Sequence, residues 1–113
     1  MEEMSRDNKI SKIENLLDIL LLHLIKKYAE RRTTRSWEGT IKNVVDMIRR
    51  PNKRRKTGGY YLSKNDLQKA IEDSWNIAMR KASFDGGYDE VELTGNIDKA
   101  KIKNDALKLV LQG

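Results

Sequence analysis

Apolar residues recur at steps of three and four from Ile10 through Ile13, Leu17, Leu20 and Leu24 to Tyr28, a spacing that predicts a first helix over about residues 6–30. Leu16, Ile19, Leu21, Leu22 and Ile25 widen that stripe until most of the circumference is apolar. Such a helix belongs at the centre of a bundle or against a second subunit. The series Trp37, Ile41, Val44, Val45 and Ile48 predicts a second helix over about 36–50, capped by Thr34 or Ser36 and stopped by Pro51. Ser63 with Asp66 three residues on is close to a capping box. It opens a third helix over about 64–84, whose buried face is Leu67, Ala70, Ile71, Trp75, Ala78 and Ala82 and whose end is marked by Asp85, Gly86 and Gly87. Val91 and Leu93 alternate with acids and read as a brief extended piece. Ile102, Ala106, Leu109 and Val110 predict a fourth helix over about 98–111, although Leu107 to Leu111 also reads as a short strand.

These elements imply an all-α fold: an antiparallel helical bundle of about four helices, the last packed across the first three, with a basic loop at 51–62 between helices two and three. The chain of 113 residues is short enough for a single helical domain, 1–113, and can remove roughly 65 percent of its unfolded surface from water. With 38% hydrophobic and 35% charged residues it is too apolar for wholesale disorder and too polar for a membrane protein. The leucine run is interrupted by Asp18 and His23 and falls short of the roughly 20 residues a bilayer requires. Glu2 and Glu3 stand where a secretory signal carries basic residues. A cytoplasmic location is the expectation. The absence of cysteine agrees with it, and removes disulfides, thiolate metal sites and cysteine nucleophiles together.

A leucine-rich helix bearing His23, followed by Arg31, Arg32, Thr33, Arg35, Ser36 and Trp37, closely resembles the domain of unknown function 29 family, over about Leu16 to Asp85. The resemblance implies an all-helical fold. It transfers no catalytic residue, because the family has no established chemistry.

Charge narrows the picture further. The formal net charge is +6, and Arg49, Arg50, Lys53, Arg54, Arg55 and Lys56 supply six positive charges with no acid among them, so the rest of the chain sums to zero. Helix-end complementarity accounts for Arg49 and Arg50. It does not account for Lys53 to Lys56, whose like charges repel unless a polyanion neutralises them. A second excess, Lys26, Lys27, Arg31, Arg32 and Arg35, is opposed within its stretch only by Glu30. Tyr60 and Tyr61 follow the basic loop, placed either to stack on an unpaired base or to staple the start of helix three.

Other chemistry finds less support. His23, the only histidine, has no acid/base partner marked by spacing, and reads as a structural histidine hydrogen-bonded between helices. The acids Asp66, Glu72, Asp73, Asp85, Asp89, Glu90 and Glu92 lack metal-loop spacing, so no metal and no cofactor is expected. Gly58 and Gly59 do not form a phosphate-binding loop, and Trp37 and Trp75 read as core anchors. The expectation is a non-catalytic module that binds a polyanion, most simply nucleic acid or else an acidic protein surface. Arg49, Arg50, Lys53, Arg54, Arg55 and Lys56 would carry it, with Tyr60, Tyr61, Arg31, Arg32 and Arg35 extending the surface. The alternative is a protein-interaction or homo-oligomerisation module using the broad apolar face of helix one. A small nuclease or toxin is the third class.

Overall fold

The computed structural model describes residues 6–52 and 62–111, and among them every regular element is an α-helix. Five helices follow in order: α1 (Arg6–Glu30), α2 (Arg35–Asn52), α3 (Lys64–Gly86), α4 (Glu90–Asn96) and α5 (Lys99–Leu111). The starts of α2 to α5 are written in short polar side chains that accept the free backbone N–H groups of a first turn. The Thr34 hydroxyl accepts from Trp37 N at 3.0 Å to begin α2. Ser63 and Asp66 form a reciprocal capping box at α3. Asp98 accepts from Lys101 N at 3.1 Å at the start of α5.

Two elements differ from the sequence expectation. Residues 90–96 are helical where Val91 and Leu93 suggested an extended piece: the Asp89 carboxylate accepts from Val91 N at 2.8 Å and caps a turn that buries Leu93 and leaves Val91 outside. Alternation with acids arose because only one of the two apolar residues faces the core. Helix α2 ends at Asn52, one residue past Pro51. Proline lacks the N–H of a helical bond, but its fixed φ is compatible with a last turn. Residues 107–111 belong to α5, helix and not strand.

Helix α1 is the centre of the fold and packs against α2, α3 and α5. Its side chains Ile13, Leu17, Leu20, Leu21 and Ile25 are fully enclosed, which is where its wide apolar face goes; among its large apolar residues Ile19, at 38% exposure, is the outlying one. Helices α1 and α3 run in the same direction. Ile10 and Glu14 share a hollow with Leu62 and Asp66 at one end, and Glu30 meets Tyr88 at the other. Helix α5 packs against α1, α2 and α3. It is fastened by the Tyr28 hydroxyl donating to Asp105 and by Lys103, whose ammonium lies 2.6 Å from Glu72 and 5.4 Å from the Trp75 ring centre. The carboxylate beside it, followed by burial, pushes the Tyr28 phenol up to about 12.

Candidate nucleic-acid interface

The two basic clusters lie at opposite ends of α2. At 1.5 Å per residue, Arg35 and Arg50 are about 22 Å apart along its axis. Lys53, Arg54, Arg55, Lys56, Tyr60 and Tyr61 lie outside the described residues. The residues on either side of them are tied together: Leu62 N donates to Asn52 Oδ1 at 2.7 Å, and Asn52 Nδ2 donates to Leu62 O at 3.2 Å. Asn52 is only 2% exposed. A buried amide needs partners for both halves of its dipole, and the backbone of Leu62 supplies both. The ends of the basic segment are therefore held side by side, next to the half-buried Arg49 and the exposed Arg50. Nothing in the apolar periodicity of the sequence marks Asn52 for this role.

The cluster at the bend is built differently. Helix α1 closes with Arg31 in the left-handed region (φ 54°) and Arg32 N donating back to Lys27 O at 3.3 Å. Helix α3 closes with the same turn, using Gly87 (φ 70°) and Tyr88 N to Ser83 O at 3.0 Å. The residue after each left-handed position then reaches one carboxylate. Arg32 contacts Glu30 through Nε at 3.0 Å and Nη2 at 2.9 Å, and the Tyr88 hydroxyl donates to the same group. The tyrosine hydrogen bond, together with the guanidinium, holds the Glu30 carboxyl below the usual carboxylate range; burial, followed by the Glu30 contact, pushes Tyr88 up to about 12. The Arg32 guanidinium also sits 4.9 Å from the centre of the Trp37 ring, and Lys26 lies 5.4 Å from it. Lys27 pairs with Glu38 at 2.9 Å, and the Thr33 hydroxyl donates to the same carboxylate at 2.7 Å; both contacts lower the Glu38 pKa, the lysine foremost.

Trp37 is thus half-buried between cations, not a core anchor, whereas Trp75 is buried as expected. The segment from Arg31 to Trp37 fastens α1, α2 and the end of α3. Among its basic residues Arg32 is engaged, while Arg31 and Arg35 are exposed and make no ion pair among the described residues. His23 is also placed differently from its expectation. Its Nδ1 contacts Ile19 O of its own helix at 2.9 Å, so its bond is one turn back along α1 and not between helices. A carbonyl only accepts, so this contact puts the proton on Nδ1. Among the described residues, no three histidine, aspartate or glutamate side chains converge as metal ligands, and no helix is long and apolar enough to cross a membrane.

Lys42, absent from the sequence-based site, joins the two clusters. Arg35, Lys42 and Arg49 stand at seven-residue intervals, which drift by about 20° per step around a helix, so one side of α2 carries a cation on every second turn. Lys42 and Arg49 border a groove of 470 Å³ between α2 and α5, with Ile41, Val45 and Leu109 as its apolar lining. The heptad spacing was visible in the sequence. The groove was not, because it depends on where α5 meets α2.

No curated protein and no solved structure significantly matches the chain. The model of the family described as domain of unknown function DUF29 matches residues 1–109, and this all-helical chain belongs to that family.

Proposed function

We propose that the protein is a non-catalytic helical module that binds a polyanion, nucleic acid, through the segment that begins at Arg49 and Arg50 and continues through Lys53, Arg54, Arg55 and Lys56. The observation that carries this reading is the distribution of charge: the entire net charge of +6 falls in eight consecutive residues, and Arg49 and Arg50 make no ion pair among the described residues. The Asn52–Leu62 clamp supports it, since a segment tied at both ends loses less conformational freedom on binding than a free tail. Affinity on these terms comes from phosphates and carries little base selectivity.

Fluorescence anisotropy of a labelled duplex across a salt series tests the reading. Neutralising about five phosphates gives a slope of log affinity against log salt near −4 to −5. Binding that ignores salt, or no binding of either a duplex or a single strand at low salt, removes it.

A second reading, protein interaction or self-association, draws support from the corner between α3 and α4, where Phe84 is 90% and Val91 81% exposed. Light scattering at high concentration separates the two: a strictly monomeric species counts against self-association through that corner.

A further inference from the structure

Resting on the polyanion reading, we propose that the groove between α2 and α5 receives an unpaired nucleotide, so that the preferred polyanion is a single strand. The groove encloses 470 Å³, within the range of small-ligand sites. A base would lie on Ile41, Val45 and Leu109, while Lys42 and Arg49 meet the flanking phosphates. These two cations are seven residues apart, about 10 Å along the helix, and neither makes an ion pair among the described residues. Arg49 is half-buried and borders the apolar lining, a setting in which arginine stacks on a base as well as pairing with phosphate. Arg49 belongs both to the groove and to the basic run of the sequence.

Gly39 gives an independent reason. It sits inside α2, where glycine is less favourable than alanine by about 0.8–1 kcal/mol, and no packing constraint explains it. A Cβ built there meets nothing within 4 Å, and the backbone shows no positive φ at this position. Gly39 lines the edge of the groove, and a missing side chain leaves its backbone open to close approach by a ligand. A duplex keeps its bases stacked and paired and cannot offer one to this lining; an unstacked strand can. The acids along the groove sharpen the expectation. Glu38 is held by Lys27 and Thr33, whereas Asp46 is exposed without an ion pair among the described residues and opposes an incoming phosphate.

The test compares anisotropy of a labelled single-stranded oligonucleotide and a duplex of equal length on the full chain. Three variants are used: Gly39→Leu, Asp46→Asn, and the Lys53, Arg54, Arg55 and Lys56 set changed to Gln. The inference expects tighter binding of the single strand. Gly39→Leu, a change that favours the helix and places a bulky side chain at the edge of the groove, should weaken single-strand binding roughly tenfold and leave the duplex alone. Asp46→Asn should tighten single-strand binding severalfold, and the Gln set should weaken both ligands. If Gly39→Leu binds the single strand as the unaltered protein does, or if the duplex binds equally well, the groove assignment is overturned while the polyanion reading stands. If neither ligand binds at low salt, both fall.

Discussion

At the start of α2, Lys26, Lys27 and Arg32 rest on an indole ring or a carboxylate, whereas at its far end Arg49 and Arg50 make no ion pair among the described residues. The two ends look alike in the sequence, each a short run of lysine and arginine beside a helix terminus. Their difference comes from what folding brings near. Glu30, Glu38 and Trp37 lie within a turn or two of the first cluster, and the α1–α2 bend folds them against it. The second cluster has no acid in its run, and Asp46, one turn before Arg49 and Arg50, pairs with neither of them. Cationic density in a sequence therefore marks either a fastening or a ligand surface, and whether the fold closes carboxylates and aromatic faces onto the cations separates the two.

The largest effect in this comparison is expected at the clamp. Asn52→Ala leaves the buried N–H and carbonyl of Leu62 without their partner, a loss of about 2–3 kcal/mol, to be read as a lowered midpoint in urea with an unchanged m-value. Asn52→Asp keeps the acceptor for Leu62 N and turns the other oxygen toward Leu62 O, so it should recover only part of the loss. An Asn52→Ala protein as stable as the parent would show that the clamp contributes nothing to the fold.

At the opposite end, Gly86 is required by a close approach. A Cβ placed there would lie 2.1 Å from Cε2 of Tyr88, and that ring is not free to move because its hydroxyl is bonded to Glu30. Gly86→Ala should cost about 1–2 kcal/mol through displacement of the ring. The sign of the pH dependence gives a second readout. The Tyr88 pKa is raised from 10.0 to about 12, so its contribution to stability is complete below pH 10 and disappears as pH rises through 12. In Gly86→Ala, tyrosinate absorbance should appear earlier in an alkaline titration than in the parent. An unchanged titration would break the link between the glycine and the Glu30 site.

Much of this was legible beforehand. The caps at Thr34 and Ser63, the periodic faces of α1, α2 and α3, and the end of α3 at Gly86 and Gly87 are local features, set by residues three or four apart. The Glu30 site joins residues 58 positions apart, and the α2–α5 groove joins Gly39 to Leu109. Neither pairing leaves a periodic trace, because the only requirement is that two helix ends or two helix faces meet. Trp37 shows the same limit in one residue. Its place in the apolar series is correct for the helix, yet the ring lies at the edge of the core, where cations cover it.

Exchanging charges at the two ends should separate stability from affinity. Arg32→Gln removes an exposed ion pair and a contact with Trp37, together worth about 0.5–1 kcal/mol, and should leave the salt slope of nucleic-acid binding unchanged. Arg50→Gln should reverse the pattern, with the melting curve unaltered and the slope shallower by about 0.9 on a duplex. If Arg32→Gln reduces the slope as Arg50→Gln does, the bend belongs to the ligand surface and the contrast between the two ends disappears.

The smallest effect concerns the two matching helix ends. Both α1 and α3 close through a left-handed residue, but α3 has Gly87 there and α1 has Arg31. For a residue with a Cβ, this conformation places that atom close to the following carbonyl oxygen, a penalty of roughly 1–2 kcal/mol that glycine avoids. Glycine also has more freedom to lose from the unfolded chain, so the net gain from Arg31→Gly should be about 0.5–1 kcal/mol, seen as a melting temperature a few degrees higher. Arg31 makes no ion pair among the described residues to offset that gain. A fold that would be more stable with glycine keeps a solvent-facing guanidinium at the bend, and anisotropy shows whether that cation acts on a ligand. If Arg31→Gly raises the melting temperature and also weakens single-strand binding, the bend contributes one charge to the binding surface. If affinity is unchanged, the unpaired cations that matter are confined to the far end of α2 and its groove.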